Sequence, residues 1–526
     1  MPDKRLLAPL LGALVLGALR LSLLPLDTDF SRAFSHDSAY VAIVARNLLH
    51  GKGWVNDASW LVFLHPARLP MPYRNANPLY PLLTAVAARI FGISVVQAGL
   101  LIAALASVGL LLATFFLVSH YLKRPWIALL VAAAVTVFPP LWEDSLMMLP
   151  DSLHLALLMA GVALFVRAER PIFAAAAGIL LGAAWLTRST AALAAPALAV
   201  YAFGMWGGRK ALVRLLLTAA VAAAVASPWL VYSARVWGSP FGSDSSYSVF
   251  QDFYARAYNG SSDRFWHSPD PPPSPAELLR HEGTAVAIHT ITGIPKVLRV
   301  WLRESWEYDY TPRIVFVISL AAAAILFRRR FLDPPLLASA VFGITQVAVF
   351  AIRADTVEPR YLAPLTAFTV MWLACGVADL MARSPSKSGR YALLLGCAVC
   401  AVYFPLRDAS LVRQLSAEEP GNASWRRARR QMSATITHQD PVIVMDPYFY
   451  SYDTGAQALS IPVYDDAYLR RYMSEYHSRW IMLTNDELRS WEPRWSSGLP
   501  SGLRIRAEAD GGKLLEWVDS PRAMPY

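Results

Sequence analysis

Residues 6–25, 97–119, 125–141 and 151–166 are each predominantly apolar and approach or reach the roughly 20 residues that a helix needs to cross a bilayer. Inside hydrocarbon every backbone polar group has to find its partner within its own structure, so runs of this length read as helices. Apolar residues make up 55% of the chain against 16% charged, and they gather in these runs rather than in amphipathic stripes. A soluble enzyme is thereby excluded. The first run continues to Leu26 without a small-residue cleavage site and reads as a retained anchor rather than a signal peptide.

Charge sets the topology. Basic clusters at Lys4-Arg5, Lys123-Arg124, Arg167 with Arg170, Arg209-Lys210 with Arg214, Arg328 to Arg330, and Arg383 with Lys387 and Arg390 occupy every second loop. The positive-inside rule makes these cytoplasmic. The outer set is then 26–96, 141–151, 187–190, 232–311, 353–360 and everything after about 407. The apolar stretch Pro78 to Phe91 is too short to span and would invert all later loops, so it is expected to lie in the interface, as is the stretch from Ile294 to Trp306. Beyond residue 407, PVIVMD (441–446) and RWIMLTN (479–485) read as buried strands between helices. The expected fold is an all-α polytopic membrane protein of about eleven transmembrane helices, residues 1–406 with large outer loops 26–96 and 232–311, followed by a small soluble α/β domain, residues 407–526. The expected location is the inner, cytoplasmic membrane, with the N-terminus cytoplasmic and the last domain extracytoplasmic. The net charge of +10 is scattered over short clusters and predicts no nucleic-acid partner.

Charged residues that break this pattern are costly near a bilayer and therefore informative. They are Glu143, Asp144 and Asp151 in one outer segment, Arg188 in the next, and Arg353, Asp355, Glu358 and Arg360 in a later one. All fall on one side, as a site for a polar, anionic substrate arriving from the lipid would require. Arginine's planar fork suits phosphate; the alternatives are a snorkelling Arg188 and a Glu358–Arg360 surface pair. In the first outer loop His36-Asp37 precede a helical stretch, where Asp37 is either a base or a helix cap. Asp27-Thr28-Asp29 lacks a glycine-rich phosphate loop, and Cys397-x-x-Cys400 lacks a second pair, so neither is assigned a role.

Taken in order, several segments resemble the GT-C superfamily of polyprenyl-phosphate-sugar glycosyltransferases, especially the bacterial branch near the aminoarabinose transferases and protein mannosyltransferases. The resemblance covers roughly residues 6–400. It is carried by HDSAY in the first loop, the HGKGW turn, NPLYPLL, the Phe91-Gly92 pair, WEDSLMMLPDSL, the LTRST break, SPWLVYSARVWGSPF, and RYLAPL opening a late span. It implies an inverting transfer of a sugar from a lipid-linked phosphate to a glycan, lipid or protein acceptor, without any nucleotide. It implies Asp37 as general base and Asp151, with Glu143 and Asp144 as competitors, as the second-loop acid. Arg188, Arg360 and Tyr361 would hold the donor phosphate, and His36, Arg46, His65, Arg74 and Glu358 would contact substrate. Ala76 and Asn77 stand where relatives carry glutamate and lysine, so neither aminoarabinose specificity nor a metal at that glutamate is carried over. Spacing reveals no metal cluster, and a divalent metal is left open as a cofactor. A transporter or lipid flippase is the rival; it predicts repeated halves and mid-span charge pairs, and the sequence has neither.

Overall fold

The structure, a computed structural model, describes residues 4–22, 34–75, 77–136, 138–258, 261–306, 333–383, 420–436, 440–462, 466–491, 495, 499–509 and 511–518. Asp27 to Asp29, Arg328 to Arg330, Lys387, Arg390, Cys397 and Cys400 lie outside the described residues, as do the runs 307–332 and 384–419. Among the described residues, four helices are long and apolar enough to cross a membrane: Val95–Leu122, Ser189–Trp206, Gly208–Trp237 and Pro334–Arg353. Five shorter apolar helices accompany them, including Asp151–Phe165 and Pro171–Thr187. The architecture is a helical membrane bundle, and the expected count of about eleven spans rests in part on segments outside the described set.

Close packing orders the bundle where it matters for function. Gly178 and Gly182, one turn apart, lie on the face of Pro171–Thr187 that meets Gly208–Trp237. A Cβ on Gly178 would come within 2.6 Å of Thr218 O, and one on Gly182 within 2.8 Å of Ala222 O. Lacking side chains, these residues let two backbones approach as small residues do in membranes. The stretch after Pro78 forms a 13-residue helix, Leu79–Phe91, packed between the first-loop helix and Val95–Leu122. The stretch ending at Trp306 is the second half of a 32-residue helix, Pro275–Trp306, kinked at Glu282.

The first-loop helix, His36–Leu49, starts from a capping box in which Ser35 and Ser38 satisfy each other's backbone N–H. It ends at Gly51 and Gly53, whose φ values of 73° and 83° suit glycine. Tyr232 ties the following loop to the bundle by donating to the carbonyls of Trp54 and Tyr73.

Eight strands are described: β1 (Val55–Asn56), β2 (Ala58–Ser59), β3 (Met71–Pro72), β4 (Val442–Val444), β5 (Ala458–Ser460), β6 (Trp480–Thr484), β7 (Leu503–Ala509) and β8 (Gly512–Trp517). The two predicted strands are β4 and β6. They sit at the centre of a six-stranded sheet ordered β2-β5-β4-β6-β8-β7, parallel up to β6 and antiparallel beyond it. The edge strand β2 comes from the first loop, so the sheet is not built from residues 407–526 alone. Its seam with the first loop is sealed by Arg46, which donates to the carbonyls of Ser451 and Tyr452 and pairs with Asp57 at 3.3 Å. Because a hydrogen bond to a charged group contributes about 1.5–3 kcal/mol, Arg46→Ala should destabilise this seam by about 2 kcal/mol. Limited proteolysis should then release the segment 420–518 faster than in the parent, and unchanged kinetics would show that Arg46 does not hold it.

Candidate active site

Breaks in regular structure place the charged side chains. Arg188 is a single extended residue (φ −152°, ψ 126°) between the helix Pro171–Thr187 and the 3-10 turn Ser189–Ala194, which turns its side chain out of both. Asp151 opens the helix Asp151–Phe165, where a carboxylate also complements the helix dipole. Arg360 lies in a 3-10 turn, Pro359–Leu362, that follows the extended Glu358 and precedes the helix Ala363–Arg383. His36 and Asp37 occupy the first turn of the first-loop helix. Ser35, not Asp37, caps that helix, and the Asp37 carboxylate is free to face outward. His36, Asp37, Asp151, Arg188, Glu358 and Arg360 all line one cavity of about 510 Å³.

At one end of the cavity charges are paired. Arg360 Nη2 donates to Asp37 Oδ2 at 2.7 Å, and its Nε lies 2.6 Å from Glu358 Oε2. Arg188 pairs with Asp151. A third arginine, Arg353, joins them, and the guanidinium groups of Arg188, Arg353 and Arg360 lie 4.9, 4.9 and 5.3 Å from the centre of the Tyr361 ring. Arg353 meets only neutral partners, the Gln251 side chain at 3.2 Å and the Thr356 carbonyl at 3.0 Å, and has no carboxylate partner among the described residues. Burial would raise the Asp37 carboxyl, yet Arg360, His36 and Arg188 hold it below the ordinary carboxylate range. Asp37, Tyr361, Asp151 and Glu358 keep Arg360 firmly cationic against its own burial. Asp144 is different: burial, then Asp151 and Glu143, push it well above the usual range.

The other end is aromatic, and the C-terminal region contributes to it. His36 donates from Nδ1 to Asp446 Oδ2 at 3.0 Å. Its ring meets Trp60 edge-on at 4.3 Å and Tyr448 at 4.8 Å. Tyr40 bridges Tyr448 and Tyr73, at 4.8 and 5.5 Å. Burial lowers the His36 imidazole, but Asp446 and Asp37 outweigh it and the group ends above its ordinary value. Asp446 in turn ends below its ordinary value, its burial offset by His36 and by the Phe449 N–H.

Comparison with solved structures places this geometry in a known fold. The oligosaccharyltransferase AglB from Archaeoglobus fulgidus, in complex with zinc and sulfate, superposes with a TM-score of 0.60 at 15% identity, over 90% of this chain and 68% of that one. ArnT from Cupriavidus metallidurans, bound to undecaprenyl phosphate, superposes with a TM-score of 0.55 at 13% identity, over 98% of both chains. The chain has a GT-C fold. AglB in complex with an inhibitory peptide and a dolichol-phosphate matches similarly, with a TM-score of 0.60 at 14% identity over 91% of this chain and 69% of that one. No protein-family profile matches the chain, and no curated protein matches it by sequence.

On this GT-C scaffold the residues singled out from sequence separate into groups. Asp37, Asp151, Arg188, Arg360, Tyr361, His36 and Glu358 line the cavity. Glu143 and Asp144 are not part of the lining, although Asp144 is near enough to Asp151 to feel its charge. Arg74 flanks the cavity, its guanidinium 4.7 Å from the Trp237 ring. His65, in a left-handed conformation, bonds the Pro269 carbonyl at 2.9 Å and joins two loops away from the cavity. Arg46 is used up on the seam described above, because nine residues make about two and a half helical turns and place it opposite Asp37. The sequence reading counted Arg353 among the converging outer charges without giving it a role, and did not place Asp446, Tyr448 or Asp244 in the site. Arg353 carried a signal, a charge in a short outer segment, whereas the others depend on tertiary packing.

Asp252, His289 and Asp355 bring one ligand atom each to within 4.8 Å of one another, a donor set that a divalent cation accepts. In the structure their lone pairs are engaged. Asp252 accepts from Thr356 Oγ1 and the Asp355 N–H, both at 2.8 Å, and from His289 at 3.1 Å, and Asp355 pairs with Lys296. The group braces the turn that carries Arg353.

The His36–Asp446 pair has a pH window. The raised His36 contributes stability in full below its ordinary value of 6.5 and loses it as pH climbs through the folded value. The lowered Asp446 contributes above its ordinary value of 3.8 and loses it as pH falls through the folded one. Asp446→Asn should therefore cost most stability between about pH 4 and 6.5 and progressively less as pH climbs through the folded value of His36, and should move the His36 resonance titration to lower pH. A stability deficit independent of pH would mean that the pair is not ionic.

Proposed function

We propose that this protein transfers a sugar from a polyprenyl-phosphate donor to a glycan, lipid or protein acceptor at the outer face of the cytoplasmic membrane. The observation that carries the reading is the meeting, in one cavity at the ends of apolar helices, of three guanidinium groups around Tyr361 with two carboxylates, Asp37 and Asp151, opposite them. The lipid phosphates in the ArnT and AglB complexes agree with it.

The chemistry follows from charge. The acceptor hydroxyl attacks the anomeric carbon, the bond from that carbon to the phosphate oxygen breaks, and the electron pair leaves with the prenyl phosphate. Charge grows on the departing phosphate, and fixed cations beside it lower the barrier. Arg353, which has no carboxylate partner among the described residues, is the first anchor for that phosphate, and Arg188 and Arg360 turn to it from Asp151 and Asp37. As Arg360 turns away, Asp37 loses the cation that held its carboxyl down, and its affinity for the acceptor proton rises. Asp37 is thus the base, and a single displacement inverts the anomeric centre. Asp151 faces the sugar and answers positive charge developing on its ring.

Purified protein in lipid nanodiscs, incubated with a panel of polyprenyl-phosphate sugars and analysed by mass spectrometry, tests the activity directly. Asp37→Asn should lower turnover by a factor on the order of hundreds while binding farnesyl phosphate at least as tightly as the parent. Arg353→Ala should weaken farnesyl phosphate binding by about tenfold or more, as loss of a charge-assisted hydrogen bond does. Arg360→Ala should weaken use of the donor. Parental turnover in the Asp37 variant would remove it as the base.

A further inference from the structure

The aromatic end of the cavity holds features that the phosphate chemistry does not use. Asp244 lines it, just beyond the helix Gly208–Trp237. Its carboxyl makes no helix-cap bond, and its Oδ1 is buried without a hydrogen-bond partner among the described residues. Arg74 is near enough to act on it electrostatically but lies over Trp237 instead of pairing with it, and its own Nε is likewise buried and unpartnered among the described residues. Asn75 and Asn77 line the same wall. Facing them are the rings of Tyr40, Tyr73, Trp60 and Tyr448, the last brought in by the C-terminal region.

A buried polar atom without a partner costs about 1–3 kcal/mol, so a site that keeps one is built for something that supplies the bond. The three guanidinium groups that would attract an anion gather around the Tyr361 ring and none pairs with Asp244 among the described residues. A purely apolar ligand would leave Asp244 unanswered. Flat aromatic faces beside carboxyl and amide groups suit a sugar ring, whose C–H faces pack on aromatics while its hydroxyls reach sideways.

We infer that this end of the cavity is a sugar-binding subsite, in which Asp244 hydrogen-bonds ring hydroxyls while Tyr448 and Trp60 form the platform beneath the ring. Burial raises the Asp244 carboxyl to about 8, with Arg74 drawing it only partly down. A carboxyl that keeps its proton both donates and accepts, which matches a hydroxyl. The inference rests on the transferase reading and adds which residues of this chain recognise the sugar.

The test uses the full chain in nanodiscs and two probes, farnesyl phosphate and a panel of farnesyl-phosphate hexoses and pentoses, with free oligosaccharides as competitors. The parent is expected to bind at least one sugar-bearing probe about tenfold more tightly than farnesyl phosphate. Asp244→Ala and Tyr448→Ala should each abolish that advantage while binding farnesyl phosphate within about twofold of the parent, which also shows that they are folded; Tyr448→Phe should retain it. A loss on the sugar-bearing probe assigns the ring to the donor, and a loss confined to oligosaccharide competition assigns it to the acceptor; both outcomes support the subsite. Variants that bind every probe as the parent does overturn it. A parent that binds farnesyl phosphate but gains nothing from any sugar, and whose binding no oligosaccharide affects, overturns the subsite alone. A parent that binds no probe overturns the transferase reading with it.

Discussion

Guanidinium groups stay ionised wherever a fold puts them, so three of them can share one aromatic ring only if opposite charge is held close by. Here Asp37, Asp151 and Glu358 supply it, and the pairs Arg360–Asp37 and Arg188–Asp151 are the points at which distant segments of the chain are tied together. The first loop, the start of one helix, the end of another and the turn before a late helix are all held by these contacts. The arrangement is close to electrically balanced as it stands. An arriving phosphate competes for cations that are already engaged, and its binding therefore changes the state of the acids.

The charged constellation depends on unremarkable backbone chemistry. Two glycines one turn apart bring the helix that ends at Arg188 against its neighbour, and a single extended residue then turns that arginine out of the helical path. A serine capping box relieves Asp37 of the role of helix cap that its position suggests. The turn carrying Arg353 is braced by Asp252, whose carboxylate takes up both a backbone N–H and a threonine hydroxyl. Each device fixes a side chain by satisfying backbone groups first, as buried polar backbone demands.

Much of this was readable in the chain because membrane physics writes strong signals. Apolar run length and the alternation of basic loops pointed to a helical membrane protein, and charges that opposed the alternation, Asp151, Arg188 and Arg360, are among those that line the cavity. The reading was weaker wherever function depends on contacts between distant segments. Nothing local marks Asp446 as the partner of His36, or Asp244 as an acid with an oxygen unpartnered among the described residues, and their neighbours are set by packing. Arg46 and His65 looked as polar as their neighbours but serve to join loops. The strand at the sheet edge, Ala58–Ser59, is two residues long and has no periodicity of its own to detect.

That short strand has a consequence for how the molecule is made. It pairs with Ala458–Ser460, and the His36–Asp446 bond beside it joins residues 410 positions apart in the chain. Closing so long a loop is slow compared with forming local contacts, and it cannot begin until the distal partner exists. During synthesis the first loop therefore waits, its edge unpaired, while every intervening helix is inserted. Only the segment carrying Asp446 and Tyr448, made after all of these helices, completes the wall of the cavity, so a polypeptide ended before it would carry most of the charged residues and still lack a finished pocket.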